Sequence, residues 1–106
     1  MKTYRQGDVL IEQIESLPEG AKKMNGPVIL AHGEVTGHAH RIRKGAKAYL
    51  LPDTDDTVSE AEIVEIEAAL ANLTHEEHDT IPLKKGFYRI TIQREYSPQE
   101  IRRVLD

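Results

Sequence analysis

Short alternations of apolar and polar residues run along most of this chain, and they read as strands. Val9-Leu10-Ile11 is a β-branched apolar run inside a first strand from Gly7 to Ser16, closed by the turn Leu17-Pro18-Glu19-Gly20. The preceding residues, Met1 to Asp8, enter this strand-like segment directly. Lys22 to Gly26 is polar and reads as loop, and Pro27 to Ala31 as a second strand. Gly33 and Gly37 bracket a connection. From Gly37 to Arg43 the alternation is clean: His38, His40 and Ile42 fall on one face, and Ala39, Arg41 and Arg43 on the other. Lys44-Gly45 then makes a turn. Ala46 to Leu51 is a further strand, ended by Pro52 and the acidic loop Asp53 to Thr57.

The stretch from Val58 to Leu73 fits two patterns. Ile63, Ile66, Leu70 and Leu73 have helical spacing, and Ser59 with Glu62 would make a capping box. Yet Val64, Ile66, Ala68 and Leu70 alternate with Glu65, Glu67 and Ala69 as a half-buried strand does. Periodicity leaves both open. The strand-like neighbours need a partner, which favours strand over Glu62–Ala68. Thr80 to Leu83, the turn Lys84-Lys85-Gly86, and Phe87 to Tyr96 read as a hairpin, with Tyr88, Ile90 and Ile92 facing one way and Arg89, Thr91 and Gln93 the other. Ser97-Pro98-Gln99-Glu100 is a helix start, with Ser as N-cap and Pro at the first helical position. Ile101, Val104 and Leu105 would dock that helix, over about 98–105, onto the body. The expectation is a single mainly β domain over 1–106: six or seven strands in a small antiparallel β-barrel or sandwich, with a short C-terminal helix.

Composition agrees with a globular domain. Of 106 residues 39% are apolar and 30% charged, and no apolar run approaches the ~18 residues of a membrane span. Without a signal-like apolar core at the N-terminus, a cytoplasmic location is expected, with no membrane partner. The absence of cysteine excludes disulfides, thiolate metal sites and cysteine nucleophiles. A net charge of −4 argues against general nucleic-acid binding. One basic stretch, Arg41, Arg43, Lys44 and Lys47, stands out against an acidic middle of Asp53, Asp55, Asp56, Glu60, Glu62, Glu65 and Glu67.

The candidate chemistry lies in histidine. Gly37-His38-Ala39-His40 and Thr74-His75-Glu76-Glu77-His78 hold four of the five histidines. On a strand, His38 and His40 project from one face roughly 6–7 Å apart, close enough to converge on one cation. His75 and His78 would face opposite sides of a strand but can face one way from a turn. Glu76 and Glu77 add oxygen ligands or acceptors that fix an imidazole tautomer, and are the candidate catalytic bases. The expected site is a divalent ion held by His38, His40 and one or both of His75 and His78, with Glu76 or Glu77 as a further donor. Nitrogen and oxygen donors without sulfur suit Zn, Fe(II), Ni or Mn. His32 stands apart from both clusters. Asp8, in a Gly-Asp pair that reads first as a turn, is a further candidate carboxylate.

Other enzyme motifs fail on spacing. The zincin helix needs His-Glu-x-x-His, and His75-Glu76-Glu77-His78 is one residue short. No serine nucleophile motif or phosphate-cradling glycine loop occurs. Gly33 to Ile42 partly resembles the first cupin motif, in which a His-x-His pair on a barrel strand binds metal with a later Glu and His. Here Lys44-Gly45 stands where that Glu would be, Pro82 and Gly86 are spaced wrongly for the second motif, and Arg89 lies where its His would be sought. The Gly33–Ile42 run, Leu73 to His78, Pro82-Leu83, Gly86-x-Tyr88 and Gln93-Arg94-Glu95-Tyr96 together resemble a family of small uncharacterised bacterial and phage proteins. That resemblance spans most of the chain and implies no particular activity.

Three functions compete. The first is a metal-binding β-barrel protein, an enzyme if the ion activates water or substrate. The second is a binding or assembly module that uses Arg41, Arg43, Lys44 and Lys47 against RNA or an acidic partner. The third is a homo-oligomer whose histidines form a subunit interface, since small β domains hide their edges by pairing them.

Overall fold

The computed structural model describes residues 1–33 and 35–93. Eight strands make one antiparallel sheet: β1 (Thr3–Gln6), β2 (Val9–Ile14), β3 (Lys22–Lys23), β4 (Val28–His32), β5 (Ala39–Ile42), β6 (Ala46–Leu50), β7 (Ile63–Thr74) and β8 (Ile81–Ile92). The main order is β1-β2-β8-β7-β5-β4; β6 also pairs with β7, and β3 pairs with β6. The sheet curls into a half-barrel, and no helix occurs among the described residues. The expected C-terminal helix over 98–105 lies outside them.

β7 organises the curl. Its first part pairs with β6 from Ile63 to Ile66, and its end pairs with β5 at Leu73 and Thr74. Along its other side it pairs with β8, with an irregularity between Ile66 and Leu70. Gly45, in the β5–β6 connection, spans this break: its carbonyl accepts the N–H groups of Glu67 (2.8 Å) and Ala68 (3.3 Å). The backbone donors released by the bulge are thus satisfied. Gly45 has φ +83°, and a β-carbon there would stand 2.9 Å from the Ala68 β-carbon, so only glycine passes here without strain.

Apolar side chains from every long strand fill the concave side. Val9, Ile11, Leu30, Ile42, Val64, Ile66, Leu73, Leu83 and Tyr88 are all buried. Tyr88 keeps its hydroxyl satisfied by donating to the Lys84 carbonyl at 2.6 Å.

The strand favoured over Glu62–Ala68 is present as β7, over Ile63–Thr74, and the alternative capping-box helix at Ser59 does not form: the Glu62 carboxylate instead accepts the Leu51 N–H at 3.0 Å, ordering the acidic loop. Other sequence expectations need correction. Lys84-Lys85-Gly86 is no turn; β8 runs through it, with Gly86 (φ +148°) paired to Ile66 where the β7 irregularity begins. The hairpin instead turns at residues 75–80, within the second histidine cluster. Among the described residues the strand count is eight rather than six or seven. Gly7-Asp8 is the turn its sequence reads as, but it separates β1 from β2, so the strand expected from Gly7 begins at Val9; Lys22-Lys23 pairs with β6 where loop was expected.

Candidate functional site

Three pieces of chain meet at the histidines: the β1–β2 turn, the entry to β5 and the β7–β8 turn. His40 lies in β5, with His38 just before it; His75 and His78 lie in the β7–β8 turn. Because β5 pairs with the end of β7 at Arg41↔Thr74, the two clusters are brought side by side by sheet register. Ring centroids are 4.3 Å apart for His40 and His75, 4.7 Å for His75 and His78, 5.8 Å for His40 and His78, and 5.9 Å for His38 and His75. All four predicted histidines therefore share one cluster. His32 does not belong to it; its Nδ1 lies 3.3 Å from the Glu60 carboxylate.

The most constrained ring is His40, only 3% exposed. Its Nδ1 is 2.8 Å from Oε1 of Gln6. The Gln6 amide is itself buried, and its nitrogen donates to the carbonyls of Leu73 (3.1 Å) and Asp79 (2.8 Å). With both donors spent, the Gln6 oxygen must accept, so His40 Nδ1 carries a proton and donates. The Nε2 lone pair is then free, and it lies 3.9 Å from Asp8 Oδ1. Burial, reinforced by the neighbouring His75, lowers the His40 pKa from 6.5 to about 4, against the opposing pull of Asp8. His40 is a neutral imidazole at neutral pH. Gln6 has no counterpart among the sequence-derived candidates: a lone amide in a short strand carries no local signal, and its role appears only when residues 6, 40, 73 and 79 meet.

The other rings are held less firmly. His75 Nδ1 accepts the Glu77 N–H at 3.0 Å, which places the proton of its neutral ring on Nε2. His38 Nδ1 is buried without a hydrogen-bond partner among the described residues, 3.6 Å from the Glu77 carboxylate. The Nε2 of His78 lies against Gly7: a β-carbon there would stand 2.8 Å away. As these rings stand they pack on one another. No three His, Asp or Glu side chains among the described residues are arranged around a common point to hold a metal.

The two glutamates differ. Glu76 accepts the Ala39 N–H at 2.9 Å, tying the β7–β8 turn to β5, and this hydrogen bond holds its carboxyl below the usual glutamate range. Glu77 remains the freer carboxylate beside the rings. The basic stretch is partly spent within the fold. Arg41 lies 4.0 Å from Glu76 and Lys47 3.0 Å from Glu67, while Arg43 and Lys44 are exposed.

Fold and cluster define a small antiparallel β half-barrel that gathers four histidines against one buried glutamine. The sequence matches the family model described as Domain of unknown function (DUF8820) over residues 5–93, and the chain belongs to that family. Neither the curated proteins nor the solved structures contain a match to it. Nothing in these comparisons supports the cupin resemblance. Among the described residues, no helix is long and apolar enough to cross a membrane.

Proposed function

We propose that this domain binds one divalent transition-metal ion in its histidine cluster, through neutral imidazole nitrogens. The observation that carries this reading is His40. A buried ring that donates from one nitrogen to an amide oxygen, and keeps the lone pair of the other free, has the arrangement found behind metal-ligating histidines. The depressed pKa keeps that lone pair available at neutral pH. His38, His75 and His78 are the neighbouring nitrogen donors. Loading requires rotation of the turn histidines out of their present packing, and His75 would also give up its bond to the Glu77 N–H. Their place in a turn with exposed residues permits both movements. Imidazole donors suit Zn, Fe(II) or Ni, and Mn if a carboxylate joins them. If the bound ion retains water, Glu77 is the nearby carboxylate that can accept its proton.

The test uses tag-free protein stripped with chelator, then titrated calorimetrically with Zn²⁺ and Co²⁺. One equivalent is expected to bind, and His40→Ala is expected to abolish the uptake. Failure of the unsubstituted protein to bind either ion, or binding unchanged by His40→Ala, overturns the reading.

A further inference from the structure

We infer that Asp8, carried on the β1–β2 turn, supplies a carboxylate donor to this site, giving a mixed set of His40, His78 and Asp8 with coordination positions left open. This rests on the proposed metal binding and specifies its ligands.

Two acceptors face each other here. The Gln6 hydrogen bonds place the His40 proton on Nδ1, so Nε2 presents a lone pair. Opposite it, at 3.9 Å, stands Asp8 Oδ1, which is also an acceptor. That distance is too long for a hydrogen bond, so the two acceptors stand close together with no direct bond between them, and a cation placed between them would be held by both. A metal about 2.1 Å from each donor, in tetrahedral geometry, separates nitrogen and oxygen by about 3.4 Å. The pair needs to close by only about half an ångström to hold one.

His78 reaches the same turn. Its Nε2 lies over Gly7, the residue preceding Asp8, and Gly7 has φ +61°. Among the described residues, neither ring nitrogen of His78 has a hydrogen bond to give up, whereas His75 Nδ1 is already occupied by the Glu77 N–H. The turn is also fixed in place. The Asp8 carbonyl accepts the Gln93 N–H at 2.7 Å, and the Arg5 guanidinium donates to the Gln93 side chain. Asp8 is thus presented to the histidines by an anchored segment.

A carboxylate beside two imidazoles shifts preference toward harder ions than an all-histidine set would select. The experiment follows Mn²⁺ binding to tag-free protein by the loss of the free-ion EPR signal, with Zn²⁺ calorimetry in parallel. Asp8→Asn is expected to weaken Mn²⁺ binding by at least about tenfold. Asp8→Glu is expected to restore part of it, and His75→Gln to change it less than Asp8→Asn does. Thermal unfolding of the metal-free variants checks that each still folds. Equal Mn²⁺ and Zn²⁺ affinity in Asp8→Asn and the unsubstituted protein overturns the role of Asp8 while leaving a histidine-only site standing. A larger loss in His75→Gln than in Asp8→Asn overturns this ligand assignment in the same way. Absence of binding by the unsubstituted protein removes the metal reading itself.

Discussion

Replacing Gln6 by leucine is the sharpest perturbation of this structure. The side chain keeps its approximate volume and loses all three hydrogen bonds: those to the Leu73 and Asp79 carbonyls and that from His40 Nδ1. Asp79 is exposed, so its carbonyl can turn to water. The Leu73 carbonyl and the His40 N–H lie among buried groups and lose the partner that Gln6 gave them. Each orphaned group costs about 1–3 kcal/mol, or about 2–4 kcal/mol together once partial relaxation is allowed. The added apolar burial returns about 1 kcal/mol. The net expectation is a loss of about 2–3 kcal/mol, or roughly 10–20 °C in Tm for a domain of this size. Urea and thermal unfolding of chelator-treated protein measure it. A second readout is ¹⁵N NMR of the His40 ring, which should show Nδ1 protonated and Nε2 bare in the unsubstituted protein. A loss under about 0.5 kcal/mol, or a ring protonated at Nε2 instead, would refute the account of how Gln6 sets the tautomer.

Two further outcomes follow from the same cluster. In metal-free protein, His40 has a folded pKa of about 4 against 6.5 unfolded, so the unfolded chain binds its proton first as the solution is acidified. Its contribution is complete above about pH 6.5 and falls by about 3 kcal/mol as the pH drops toward 4; a His40→Gln variant whose stability declines as steeply over that interval would contradict this. Glu76 binds the Ala39 amide through its carboxylate. Glu76→Ala should therefore speed hydrogen exchange at Ala39 while Glu76→Gln, which keeps an acceptor, should not, and equal exchange in the two variants would show that this contact is not what protects the amide.

The strands with one uninterrupted period were legible in the sequence. Tyr88, Ile90 and Ile92 face the core side as their alternation implies, and Ala46 to Leu50 is a strand as read. β7 was ambiguous for a physical reason. After Ile63, which is buried at the strand's start, its buried positions are Val64 and Ile66 before the irregularity and Ala71 and Leu73 after it, because the bulge at 67–69 changes the phase. A strand whose parity switches midway mimics a longer period, and so Ile63, Ile66, Leu70 and Leu73 could pass for a helical stripe. The partner of the bulge misled in the opposite sense: Lys84-Lys85-Gly86 has the composition of a turn but meets a strand that has already made the adjustment. At the site, residue type was informative and position was not. Two histidine pairs were visible, but their meeting depends on the pairing of β5 with β7, and the pairing of Gln6 with His40 depends on the end of β1 reaching both Leu73 and His40.

The placement of β8 has a consequence for how this chain acquires its structure. β2 pairs with β8 from Val9↔Ile92 to Ile14↔Phe87, so the N-terminal hairpin finds its neighbour only among the last described residues. During synthesis the β1–β2 hairpin emerges first and waits for nearly the whole domain before it can be buried. A lone two-stranded hairpin is at best marginally stable in water, and contacts this distant in sequence form slowly. Folding of this half-barrel therefore cannot proceed vectorially from its first residues. Gln6, Gly7 and Asp8 reach the histidines only when the sheet closes, which makes assembly of the cluster a late event and a reporter of completed folding.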